Sequence, residues 1–269
     1  MSEPDRTPLE TVLRHDRWVV IGGLAAVAGA AWLWIVLGAG MDAVQMTRMA
    51  VGAAANTDLA AMRPAAWDLG YAALMLSMWW VMMVAMMLPS AAPMLLIHAR
   101  IMRKERSEGR PFVPTGIFAA GYLAAWGGFS LIAVALQWGL ERLGLLSEMM
   151  AAGNVWLAAA ILIAAGLWQL TPMKQVCLRH CRTPISFLTH AWRPGAGGAF
   201  AMGLHHGGYC LGCCWFLMGL LFFGGIMNLY WIAGLAVYVL LEKTLPLGHR
   251  LGYAAGAALV ACGLWLAVA

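Results

Sequence analysis

Charge is what this sequence has least of. Asp, Glu, Lys and Arg make up 11% of its 269 residues, where a soluble domain carries about 25%. From Pro194 to Leu241 there is none at all. No stretch is polar enough to form a soluble domain, and no basic face is laid out for nucleic acid. Disulfide chemistry is also excluded as an organising principle. The six cysteines are scattered through apolar segments and do not make the framework of a small secreted domain. Residues 1–17 are polar, with no small-residue cleavage pattern close behind, so they read as a cytoplasmic tail rather than a removed signal peptide.

What fills the chain is apolar: 62% hydrophobic residues and a mean hydropathy of +0.76. This composition predicts an all-α, polytopic membrane bundle occupying residues 18–269. About seven spans are expected: Trp18–Gly40, Trp67–Ile97, Phe112–Leu140, Val155–Pro172, Gly198–Phe223, Leu229–Leu245 and Leu251–Ala269. Each approaches the roughly 20 apolar residues that cross a bilayer. Met41–Trp67 reads as an extramembrane loop with a short surface helix, and Arg100–Arg110 as a basic loop. With seven spans, every Lys and Arg except Arg48, Arg63 and Arg142 falls on the side of the amino terminus. The positive-inside rule then places that terminus in the cytoplasm and the carboxyl terminus outside.

Two features carry chemistry. The second expected span holds Met75, Met78, Met82, Met83, Met86, Met87 and Met94, seven of the nineteen methionines. Met75, Met78, Met82 and Met86 step by three, four and four into one stripe. Pro89 and Pro93 follow, freeing carbonyls that neighbours must satisfy. The fifth span holds His205, His206, Cys210, Cys213 and Cys214 within ten residues. On a helix His206, Cys210 and Cys213 or Cys214 share a face.

Ionisable groups at membrane depth tend to mark functional sites. Thiolate, thioether and imidazole together select copper(I), with zinc the alternative where Cys and His dominate. The expected ligands are therefore His206, Cys210, Cys213, Cys214 and His205, with Met82 or Met86 completing the set from the methionine helix. That helix is expected to pack on the fifth. Cys177, His180 and Cys181 form a secondary metal or thiol cluster after the fourth span. Glu242 is expected to face the bundle, Lys243 to snorkel to the headgroups, and His98 to sit at the interface.

Plainer readings stand beside these. A methionine stripe at helical spacing is commonly core filler. A membrane cysteine such as Cys262 is commonly a small hydrophobe, and glycines at spacings of four allow close helix packing. Two other functions are open: a thiol oxidoreductase using Cys210/Cys213 and Cys177/Cys181, or a structural subunit of a membrane complex. The expected partners are the lipid bilayer and a periplasmic or cytoplasmic metal-carrying protein.

Four segments, MWWVMMVAMMLPS, LTPMKQVCLRHCRTP, GLHHGGYCLGCCWFLMG and LEKTLP, together resemble one bacterial family. It is the family of metal-binding integral membrane proteins named domain of unknown function 2182. The similarity covers about residues 72–246. It implies a helical membrane protein with a metal site and no established reaction.

Overall fold

The computed structural model describes residues 8–39, 67–109, 113–147 and 150–269. The expected surface helix in the loop after Gly40 lies outside them. Among the described residues ten helices follow in order: α1 Pro8–Val36, α2 Leu69–Ser107, α3 Thr115–Arg142, α4 Val155–Leu170, α5 Pro172–Arg182, α6 Pro184–Ala191, α7 Gly195–Gly219, α8 Leu221–Gly224, α9 Leu229–Thr244 and α10 Gly248–Val268. Five stretches of the described residues are long and apolar enough to cross a membrane: Trp18–Val36, α2, α3, Gly195–Gly224 and α10. The bent pair α4–α5 makes a sixth if counted as one span. The expected sixth span, α9, has 16 residues, about 24 Å of helix, short of the roughly 30 Å of hydrocarbon. The described helices thus support five to six spans rather than seven.

Helix α2 runs 39 residues through both prolines and takes in most of the expected basic loop. Pro89 has no N–H for the carbonyl four residues back, that of Ala85. Trp32 of α1 supplies the missing donor, its Nε1 lying 3.1 Å from the Ala85 oxygen. Met75, Met78, Met82, Met83, Met86, Met87 and Met94 are all buried, so the stripe faces protein.

Packing is decided by small residues. Helix α7 lies principally along α3 and next along α5, which corrects the expectation that it packs on the methionine helix. A Cβ on Gly203 would run into the Phe118 carbonyl, and one on Gly121 into the Phe200 carbonyl. Backbone approach this close needs glycine on both helices. The same logic joins α4 to α10, where a Cβ on Gly166 would lie 2.7 Å from the Gly256 oxygen.

The break between α4 and α5 is local. Thr171 caps α5, its side chain accepting from the Lys174 N–H, with Pro172 in the first turn. Proline is tolerated there and cannot continue α4. The resulting bend of 66° lays α5 across the bundle end. It carries Lys174 inward to an ion pair with Glu242, both side chains fully buried. Gly252 leaves room for the pair: a Cβ there would meet Glu242 Oε1 at 2.6 Å.

Candidate metal centre

Four cysteine sulfurs gather where α5, α7 and α9 meet α2 and α3. Cys210, Cys213 and Cys214 are buried on one side of α7, as their spacing of three and four requires. Cys213 Sγ lies 3.2 Å from Cys214 Sγ and donates to the Cys210 carbonyl at 3.2 Å. Cys181 arrives from α5, its Sγ 3.9 Å from that of Cys213. Two thiolates bound to one ion at about 2.3 Å would stand roughly 3.8–4.0 Å apart. The 3.9 Å pair already has that separation, whereas the 3.2 Å pair would have to open slightly. Among the described residues no three or more His, Cys, Asp or Glu side chains are grouped as a preformed metal site.

Lys243 is the residue that sequence reasoning misplaced. Its side chain does not snorkel; it is buried, donating to Cys210 Sγ at 2.9 Å and to Ser90 Oγ at 3.2 Å. The outward route is closed because α9 is packed against α2 over this stretch. The signal was present, since Glu242 and Lys243 are the only charges between Arg193 and Arg250. Tyr122 of α3 was missed as well. Its hydroxyl lies 3.1 Å from Cys210 Sγ and 3.2 Å from the Met87 carbonyl. The single phenolic proton can serve only one of them: the carbonyl when Cys210 carries its own proton, the sulfur when it does not.

The remaining expected ligands divide into three settings. His206 is buried beside the cluster, its ring stacked on Tyr122 with centroids 5.8 Å apart, and its Nδ1 has no hydrogen-bond partner. Met82 and Met86 are buried in α2, but the hydrogen bonds from α2 to the cluster come through Ser90 and the Met87 carbonyl. His205 is exposed and lines a cavity of about 320 Å³ with His180, His190, Arg193 and Tyr209. The expected secondary cluster is split. Cys181 joins the buried thiols, His180 stacks on Tyr209 at 4.1 Å, and Cys177 Sγ lies against Gly212, 2.6 Å from where a Cβ would stand. The cysteine pairs expected of a thiol oxidoreductase are thereby rearranged, with Cys181 beside Cys213 rather than Cys177. His98 is fully buried within the protein, held by Thr115 Oγ1 at 3.2 Å, its ring tilted against Phe118 with centroids 4.9 Å apart.

A soft-ligand cluster of this kind suits copper(I), and the sequence comparison agrees. The family model described as "PpoB2: Copper chaperone" matches residues 76–266. The chain belongs to this copper chaperone family. The match takes in all four recognised segments and every cysteine of the cluster. No curated protein and no solved structure matches the chain. Membership ties the chain to copper handling and leaves the ligands to be argued from the geometry.

Proposed function

We propose that this chain is a multi-pass membrane copper chaperone that holds copper(I) through the thiols of Cys181, Cys210, Cys213 and Cys214 and passes it to a partner protein. The observation that carries the reading is the contact between Lys243 and Cys210. Burying an uncompensated charge is costly, and Lys174 with Glu242 already forms a neutral pair. Among the described residues, the Lys243 ammonium is therefore the one extra buried charge at the thiol cluster. Copper(I) bound by two of these cysteines as thiolates, the other two keeping their protons, has a net charge of −1, which Lys243 brings to zero. His206, with a free buried Nδ1, stands as a further ligand, and Met82 and Met86 as thioether donors on the path to the site.

The membrane reading rests on the five to six apolar stretches. A seventh crossing by α9, cytoplasmic placement of the amino terminus and an inner-membrane location extend it, supported by the distribution of Lys and Arg. A reporter fused after Ala269 is expected to behave as external, and a cytoplasmic signal would reject the orientation.

Copper analysis of the purified protein tests the site. Wild type is expected to retain copper stoichiometrically, while Cys210→Ser and Cys181→Ser lose it and remain inserted. Full copper occupancy in Cys210→Ser would remove the proposal.

A further inference from the structure

A second set of soft ligands converges near the amino-terminal end of α2, away from the mid-helix turn of Met87 and Ser90 that meets the thiol cluster. The side-chain amide of Gln137, in the last third of α3, is fully buried. Its Oε1 accepts from Trp79 Nε1 at 2.8 Å, which fixes which end of the amide is which. Its Nε2 faces three acceptors at once: Met75 Sδ at 3.4 Å, Met150 Sδ at 3.3 Å and Glu141 Oε1 at 2.8 Å. An NH2 group has two hydrogens for these three atoms, so the pocket is richer in acceptors than its occupant can satisfy. Glu141 receives its other hydrogen bond from Trp67 Nε1 at 2.8 Å. Both of these donors are neutral, so among the described residues they bring no positive charge to its carboxylate.

The pocket is also built at some cost. Met150 is one of the two non-glycine residues with positive φ among those described, at 55°. A left-handed backbone at a residue with a long side chain is unfavourable and calls for a reason. Here it delivers the Met150 thioether into contact with a buried amide.

We propose that Met75, Met150 and Glu141 form a second site for a soft monovalent cation, with the Gln137 amide as the group the ion displaces. Two thioethers and one carboxylate suit copper(I), and the carboxylate neutralises it. The sulfurs lie 3.3–3.4 Å from the amide nitrogen and need to close by about 1 Å to bind an ion, within reach of flexible methionine side chains. From Met75 the buried stripe continues through Met78, Met82 and Met86, about 16 Å of helix, to the turn holding Met87 and Ser90. Those residues touch Tyr122 and Lys243 at the thiol cluster. Thioethers bind weakly and thiolates tightly, so an ion at the methionine site moves downhill along this row. Only the identity of the ion rests on the copper-chaperone reading.

The test uses the full chain in detergent micelles, with methyl-13C methionine and silver(I) as a redox-inert probe. Wild type is expected to bind two equivalents. The thiol-free variant Cys181→Ser/Cys210→Ser/Cys213→Ser/Cys214→Ser keeps one, and the near-isosteric Met75→Leu/Met150→Leu variant keeps one. In the thiol-free protein, the methyl signals that move with silver are expected to be those missing from Met75→Leu and from Met150→Leu. If the thiol-free protein binds no silver, or those two signals stay still, the inference is overturned. If it binds one equivalent while Met75→Leu/Met150→Leu binds none, the methionine site stands and the thiol site fails.

Discussion

Lys243 Nζ lies 2.9 Å from Cys210 Sγ at the centre of the bundle, so a basic side chain at a helix end is turned inward to serve a thiol. Replacing it by methionine removes the charge and keeps most of the volume. Lys243→Met is expected to weaken copper(I) binding at least tenfold, about 1.4 kcal/mol, in competition with a chromogenic chelator. Lys243→Arg is expected to retain more. Unchanged affinity in Lys243→Met would show that the ammonium does not compensate the bound ion.

Cys177 and Cys181 are one helical turn apart on α5, yet only Cys181 reaches another sulfur. Serine at 181 is expected to lower copper stoichiometry, while serine at 177 leaves it intact. Equal losses from both would mean that α5 binds the ion through a different face.

Gly203 and Gly208 separate packing from composition. A methyl group at 203 meets the Phe118 carbonyl, whereas at 208 it meets nothing within 4 Å. Gly203→Ala is expected to destabilise the α3–α7 pair by about 1–3 kcal/mol, the usual range for overpacking. Gly208→Ala is expected to be neutral. Thermal unfolding in detergent distinguishes them, and similar midpoints would count against the glycine contact.

The Lys174–Glu242 pair is completely buried. Lys174→Met leaves the carboxylate without its countercharge and is expected to cost about 3–5 kcal/mol, whereas replacing both partners by apolar residues is expected to recover most of that. The double variant should therefore melt above the single one. The reverse order would show that Glu242 is not left uncompensated when Lys174 is removed.

Much of the centre was legible in local spacing. The positions of Cys210, Cys213 and Cys214 on one side of α7 follow from steps of three and four. That Met75, Met78, Met82 and Met86 form one stripe likewise follows from helical periodicity, whereas its facing protein rather than lipid came from the tertiary structure. The carbonyl freed at Ala85 had to find a donor once Pro89 was in the helix, though nothing in the sequence said that Trp32 would supply it.

Composition and spacing by themselves determined that the chain is helical and apolar, that its thiols share a face, and that its methionines line another. Those properties depend on residues within a turn or two of one another, where helix geometry fixes the distances. Only the tertiary structure decided that α7 lies on α3, that the bend at Pro172 brings Cys181 to Cys213, and that Lys243 points inward. A periodic stripe says that residues share a face without saying whether protein or lipid covers it. The choice of neighbour rests on where glycines let two backbones meet, and on which partners compensate a buried charge.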